Sequence, residues 1–215
     1  HKDAGVKVTV ICPPGEHRGW LEANGVRVLD VPLRRQFDRD AVRRLRAELD
    51  SGRHDVLHLF SNKALQNGLA ASRGLPVKIV AYRGIVGNVS FFSPVSWLRF
   101  LNPRIDRIVC VADAVRDFFL QMWPKFLRLP AEKLVTIYNS HSLDWYSEAP
   151  ADLTAIGVPR GAFAVACVAN YRPRKGIEVL VDAFDRLPSA AHLLLIGGGM
   201  DAPRLVRRIA ASPAG

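Results

Sequence analysis

Cysteine is scarce in this chain. Cys12, Cys110 and Cys167 are far apart, odd in number, and each lies in an apolar run. That pattern excludes a disulfide scaffold, and with no Cys-x-x-Cys or His-Glu-x-x-His spacing it points to neither a zinc site nor a dithiol centre. The thiols read as small buried hydrophobes in a reducing compartment. No apolar run approaches the ~18 residues that span a bilayer, and His1–Gly5 lacks the apolar core of a secretory signal. A soluble, cytoplasmic protein is expected. Acidic residues are in deficit, 20 against 30 Lys and Arg, for a net charge of +10. An anionic partner follows: nucleotide, lipid headgroup or nucleic acid. Aromatics are only 8% of the chain and are not interleaved with a basic stripe, so nucleic acid is set aside.

What is abundant is short runs of Val, Ile and Leu. They recur at Val6–Cys12, Val26–Val31, Val56–Phe60, Val77–Tyr82, Ile108–Val111 and Leu134–Ile137. Helical patterns lie between them at Arg39–Ser51, Lys63–Arg73, Ser96–Leu101 and Ala114–Met122. Continuous rather than alternating apolar strands imply a parallel sheet covered on both faces, hence an α/β fold. From Asp144 to Gly161 the composition turns to Pro, Ala, Asp and Gly, with a short helix expected near Ala151–Ile156. The pattern then restarts with a strand at Phe163–Ala169, a helix at Lys175–Leu187, a strand at His192–Ile196 and a helix at Ala202–Ala211. The expected division is a domain over 1–143, a linker over 144–161 and a partial second domain over 162–215. Lys2–Gly5 reads as a helix tail entering a strand, and the second domain is short of the usual ~100–150 residues. A fragment lacking both termini is therefore expected.

The chemistry concentrates at two strand-to-helix junctions. The first carries Arg172, Arg174 and Lys175 ahead of Gly176; the second is Gly197-Gly198-Gly199. Backbone N–H groups at a helix start favour an anion, and Lys or Arg adds full charge. A solvated basic turn is the competing reading for the three cations, and an ordinary tight turn for the glycines. Gly197 to Ala202 also fits Gly-x-Gly-x-x-Ala, a weak dinucleotide signature, so a dinucleotide-dependent oxidoreductase stays open. Asp38-Arg39-Asp40 has the form of a metal-binding pair but opens an amphipathic helix, and the helix-start reading is preferred. Arg83 and Gly84 end a strand at the sheet edge where ligands bind in open α/β folds; Arg83 reads equally as an anion holder or as a loop arginine. Phe91, Val95, Leu98 and Leu101 recur near helical spacing. They read as core, with a membrane-facing lip as the sharper alternative, joined by Phe118–Arg128.

Val168-Ala-Asn-Tyr-Arg-Pro-Arg-Lys-Gly176, Leu180, Ala183-Phe184 and Leu193-Leu-Leu-Ile-Gly-Gly-Gly199 together resemble the start of the second domain of family 4 glycosyltransferases of the GT-B fold. Gly5-Val-Lys-Val-Thr-Val-Ile, Asp55-Val-Leu-His-Leu, Asp106-Arg-Ile-Val-Cys-Val-Ala and Val135-Thr-Ile-Tyr-Asn139 resemble successive segments of that family's first domain. The resemblance implies a GT-B-like, Rossmann-like first domain and the opening βαβα part of a second. It implies a retaining transfer from a nucleotide diphospho-sugar to a glycan or lipid-linked acceptor in cell-envelope polysaccharide or lipopolysaccharide synthesis, with no metal and no cofactor. Peripheral contact with an anionic membrane at the inner face belongs to the same expectation. Lys175 and Arg172 would stabilise the leaving diphosphate, Asn170, Gly176, Gly197 and Gly199 would bind the donor, and Arg83 and Gly84 would lie on the acceptor side. The family has Arg where this chain has Asn170, so Arg172 would supply that guanidinium. The family's Glu-x7-Glu motif does not occur after Gly199, so little or no activity of residues 1–215 alone is expected. A non-catalytic module binding an anionic glycan or membrane is the remaining alternative.

Overall fold

A computed structural model describes residues 5–15, 17–51, 54–187 and 190–212, with the side chains of Asp144 and Trp145 excepted. The helix tail expected at residues 2–4 lies outside them. The chain divides into two compact units, residues 1–141 and 142–215.

The first unit runs β1 (Thr9–Cys12), α1 (Arg18–Ala23), β2 (Arg27–Asp30), α2 (Arg39–Asp50), β3 (Val56–Leu59), α3 (Asn62–Ala71), β4 (Lys78–Arg83), α4 (Pro94–Trp97), β5 (Arg107–Cys110), α5 (Asp113–Leu120) and β6 (Leu134–Thr136). All pairings are parallel, as the continuous apolar runs require. They form two sheets, β1-β2 and β3-β4-β5-β6. Ile79, Ala81, Ile108 and Cys110 are buried at the centre of the larger sheet, with Leu65, Ile105 and Phe119 packed against it.

Local chemistry explains the helix positions. Asp38 caps α2 by accepting from the Asp40 and Ala41 N–H groups, both at 3.2 Å. Ala41, Leu45 and Leu49 then turn one buried stripe inward. Thus Asp38 is a helix cap, and Asp40 pairs with Arg43. Asn67, fully buried on α3, accepts from the Asp38 N–H at 2.8 Å and donates to the Gln36 and Lys63 carbonyls, fixing the loop that leads into α2. Asp106 accepts from the Ile79 N–H at 2.8 Å and pairs with Lys78 and Arg104, pinning the start of β5 to β4.

The second unit has 3-10 turns at Leu143–Tyr146 and Leu153–Ile156, then β7 (Phe163–Val168), α6 (Ile177–Phe184), β8 (Ala191–Ile196) and α7 (Pro203–Ala210). β7 and β8 pair in parallel from Phe163↔Ala191 to Val168↔Ile196. Ile177, Val181 and Leu205 form its core against Cys167, Leu193 and Leu195. Arg208 spans Asp182 and Asp185, tying α7 to α6.

The structure departs from the sequence reading at four places. α1 was not expected, because its six residues bury nothing and so show no apolar period. The helix expected over Ser96–Leu101 is the four-residue α4 instead. Phe91 and Leu101 are buried while Val95 and Leu98 are exposed, so the helical spacing there is accidental. Cys110 is buried, as expected, but Cys12 and Cys167 are only partly so. Finally, β7 and β8 are only partly covered: no residue of either strand is fully buried, and the ends of β7, Phe163 and Val168, are 67% and 77% exposed.

Candidate functional site

In the second unit the parallel register brings the ends of β7 and β8 side by side, and the two following turns are laced together. The Ala169 N–H donates to Ile196 O and the Tyr171 N–H to Gly198 O, both at 2.9 Å. Asn170 Oδ1 accepts from the Gly198 N–H at 3.1 Å. Gly197 has φ +141°, and a Cβ there would stand 2.1 Å from Ala169 O, so only glycine lets the strands end this close together.

Beyond Tyr171 the chain makes a 3-10 turn at Pro173–Lys175, reverses at Gly176 (φ +63°) and enters α6. Lys175 therefore precedes the helix by two residues, and Gly176 is its N-cap. No side chain caps α6, so the first N–H groups of the helix lack an intrahelical acceptor. Arg172, Arg174 and Lys175 are exposed. Among the described residues none of the three makes a side-chain hydrogen bond or ion pair, whereas Arg204 and Arg208 are paired with acids. The one acid in the first turn of α6, Glu178, is occupied: it accepts from Tyr171 Oη and pairs with Arg204 Nε at 2.8 Å. These contacts hold its carboxyl below the usual range, the Tyr171 hydrogen bond most of all, and the same bond raises the Tyr171 phenol. Three unneutralised cations thus precede an uncapped helix start whose acidic neighbour is already paired. Chemically this suits an oxyanion.

Arg83 and Gly84 belong to the first unit. Gly84 is exposed in the loop after β4. Arg83 is only 5% exposed. Its Nε donates to Ile85 O at 2.9 Å, one Nη donates to Gly87 O, and its guanidinium lies 4.8 Å over the Phe100 ring. Burial pushes its pKa down. Gly87 and Asn88 both take positive φ, giving the loop the bend that points carbonyls back at Arg83. A cavity of about 120 Å³ opens here, lined among others by Arg83, Asn62, Asn88, Ser93, Arg99 and Phe100. Arg99 was not singled out in the sequence. Its signal was a lone cation within the apolar stretch from Phe91 to Leu101. Next to this region Phe92, 67% exposed, stacks on exposed Trp123 with ring centroids 5.4 Å apart.

Histidine forms no such constellation. His54 pairs with Glu48, and His58, whose pKa burial lowers, stacks on Phe60. No group of three His, Cys, Asp or Glu gathers as a metal site among the described residues. Nor is any described helix long and apolar enough to cross a membrane.

Parallel strands that run into helices through glycine-rich or basic turns define an α/β protein, a class whose ligands bind at the carboxyl ends of the strands. The family model of the glycosyl transferase 4-like domain matches residues 2–140, and the chain belongs to that family. Among solved structures, a glycosyltransferase from Rickettsia africae has TM-score 0.73 at 16% identity over 99% of this chain. HepE of Anabaena, solved in complex with UDP, has TM-score 0.67 at 18% identity over 97%. MurG of Acinetobacter baumannii has TM-score 0.51 at 13% identity over 99%. At such identities the likeness is one of fold, and it is the α/β, GT-B-like fold expected from the sequence. This chain spans 58%, 67% and 56% of those three proteins respectively. No curated protein sequence matches.

Proposed function

We propose that the chain is the acceptor-side domain and the opening donor-side portion of a retaining glycosyltransferase. Its donor is a nucleotide diphospho-sugar, and its acceptor is a glycan or lipid-linked sugar of the cell envelope. The observation that carries this reading is the cluster of unpaired Arg172, Arg174 and Lys175 at the uncapped start of α6, beside the Asn170 and Gly197–Gly199 turns.

Breaking a glycosyl–phosphate bond leaves negative charge on the departing diphosphate. Fixed cations and N–H groups stabilise that charge more in the transition state than in the ground state. Lys175 and Arg172 take this role. Asn170 differs: its side-chain oxygen is an acceptor for the Gly198 N–H, a job no arginine can do, so it organises the glycine turn. The acceptor hydroxyl attacks on the face the diphosphate leaves, the phosphate oxygen takes its proton, and configuration is retained without a protein nucleophile or a metal. The exposed Phe92–Trp123 pair, near Lys125 and Arg128 in sequence, suits peripheral contact with an anionic membrane at its cytoplasmic face.

Titration calorimetry with UDP, GDP, UMP and NAD tests the donor site. A nucleoside diphosphate is expected to bind more tightly than the monophosphate. Lys175→Ala should weaken it about tenfold, the lower end of what one charge-assisted hydrogen bond contributes. Preference for NAD, or UDP affinity unchanged by Lys175→Ala, would overturn the assignment.

A further inference from the structure

We propose that the cavity beside β4 is an oxyanion subsite for the acceptor, in which Arg83 and Arg99 bind a carboxylate or phosphate group. The proposal rests on reading the first unit as the acceptor side and names the chemistry of that acceptor.

Both arginines line the cavity, together with Asn62, Asn88 and Ser93, whose side chains supply further polar groups. Among the described residues neither guanidinium has a carboxylate partner. Arg83, almost wholly buried, donates only to the carbonyls of Ile85 and Gly87. Arg99 places one Nη between the amide oxygens of Gln36 at 3.1 Å and Gln66 at 3.4 Å, and its Nε is buried with no partner. Arg27, Arg46 and Arg104 of the same unit are instead neutralised, by Glu48, Asp50 and Asp106. A buried cation without a counter-ion is unfavourable, and an unsatisfied buried N–H adds to that. Here a buried cation, Arg83, and a partly exposed one with a buried unpartnered Nε, Arg99, share one cavity, and both defects vanish if an oxyanion enters. The depressed pKa of Arg83 has the same origin, since burial lowers it and only the Cys110 thiol opposes. Guanidinium pairs suit this ligand because their planar forks meet two oxygens at once.

The distribution of charge agrees. Residues 1–141 carry 22 Lys and Arg against 13 Asp and Glu, +9, while residues 142–215 carry 8 against 7, +1. Nearly all of the long-range attraction for an anion therefore originates in the unit that holds this cavity.

The test is a chemical-shift titration of the 215-residue chain carrying Lys175→Ala, which weakens the other anion seat, and residue-resolved shifts separate the two. The probes are inorganic phosphate, glucuronate and, as a neutral control, glucose. Phosphate or glucuronate should bind saturably with shifts confined to residues around Arg83, Ser93 and Arg99, and glucose should not. Arg99→Gln should weaken that binding at least about tenfold, with Arg99→Lys between the two; circular dichroism checks that each variant folds. Glucuronate alone identifies a uronate-bearing glycan, and phosphate alone a phosphate-bearing acceptor. The proposal fails if neither anion binds better than glucose, or if Arg99→Gln leaves affinity intact. UDP binding by the chain without Lys175→Ala is measured beside it. Loss of UDP binding with retention of the anion site defeats the donor reading alone.

Discussion

Replacing Gly197 with alanine isolates the geometry on which the turn after β8 depends. The substituted Cβ would stand 2.1 Å from Ala169 O and 2.7 Å from Ala169 C, atoms of backbone that no side-chain rotation can move aside. Overpacking of that kind costs about 1–3 kcal/mol. The positive φ of +141° adds a further ~1–3 kcal/mol for any residue with a side chain. Gly157→Ala is the matched control: its φ is +88° but a Cβ there meets nothing within 4 Å, leaving only a conformational term of ~1 kcal/mol. For a unit of this size each kcal/mol shifts the melting temperature by roughly 4–8 °C. Gly197→Ala should therefore lower the melting transition by about 10 °C or more, and Gly157→Ala by about half that or less. Hydrogen exchange followed by mass spectrometry locates the effect, with protection lost in peptides covering β7 and β8 and kept in β3–β6. Equal shifts for the two variants, or an unchanged exchange pattern in β7–β8, would refute the close approach of the two strand ends.

Glu48 and Cys110 give two more tests. The Arg27 hydrogen bonds, aided by His54, hold the Glu48 carboxyl below its ordinary value of 4.5 in the folded chain. A group with a depressed folded pKa contributes stability above its unfolded pKa and loses it as pH falls through the folded value. Denaturation titrations should show Glu48→Gln less stable than the parent at pH 7, with the gap closing as pH falls below about 4.5; a gap independent of pH would contradict this. Cys110 is fully buried, and burial pushes its thiol up to about 11. Alkylation at pH 8 should label Cys12 and Cys167 well before Cys110, and comparable rates for all three would contradict its burial.

Much of the fold was legible because its cause is local. Runs such as Val77–Tyr82 are apolar apart from Lys78 and do not alternate, as a covered parallel strand does, and Asp38 before an amphipathic helix is a cap wherever the helix forms. The basic and glycine-rich junctions were legible as strand-to-helix turns for the same reason, and the register of β7 and β8 brings them side by side. What the sequence could not express was burial set by distant partners. Arg83 read equally as an anion holder or a loop arginine, and its enclosure by Phe100 and the Ile85 and Gly87 carbonyls had no local signal. Arg99 was hidden inside an aromatic stretch whose helical spacing proved accidental. Asn170 looked like a missing arginine, while its side chain is committed to Gly198, a residue 28 positions away. α1 lacked any apolar period, since none of its residues is buried.

The partly covered strands of the second unit also bear on behaviour in concentrated solution. Phe163, Val168 and Ile196 offer apolar surface beside two short strands, on a unit whose charge is close to zero. What keeps copies apart is repulsion between the strongly cationic first units, acting across a distance. That repulsion reaches about 10 Å at 0.1 M salt and only ~3 Å at 1 M, while apolar contact is unaffected by screening. Salt should therefore draw copies together, raising the apparent mass in light scattering, whereas an assembly held by ion pairs would come apart. For a protein of such high charge, low ionic strength is the condition that keeps it dispersed.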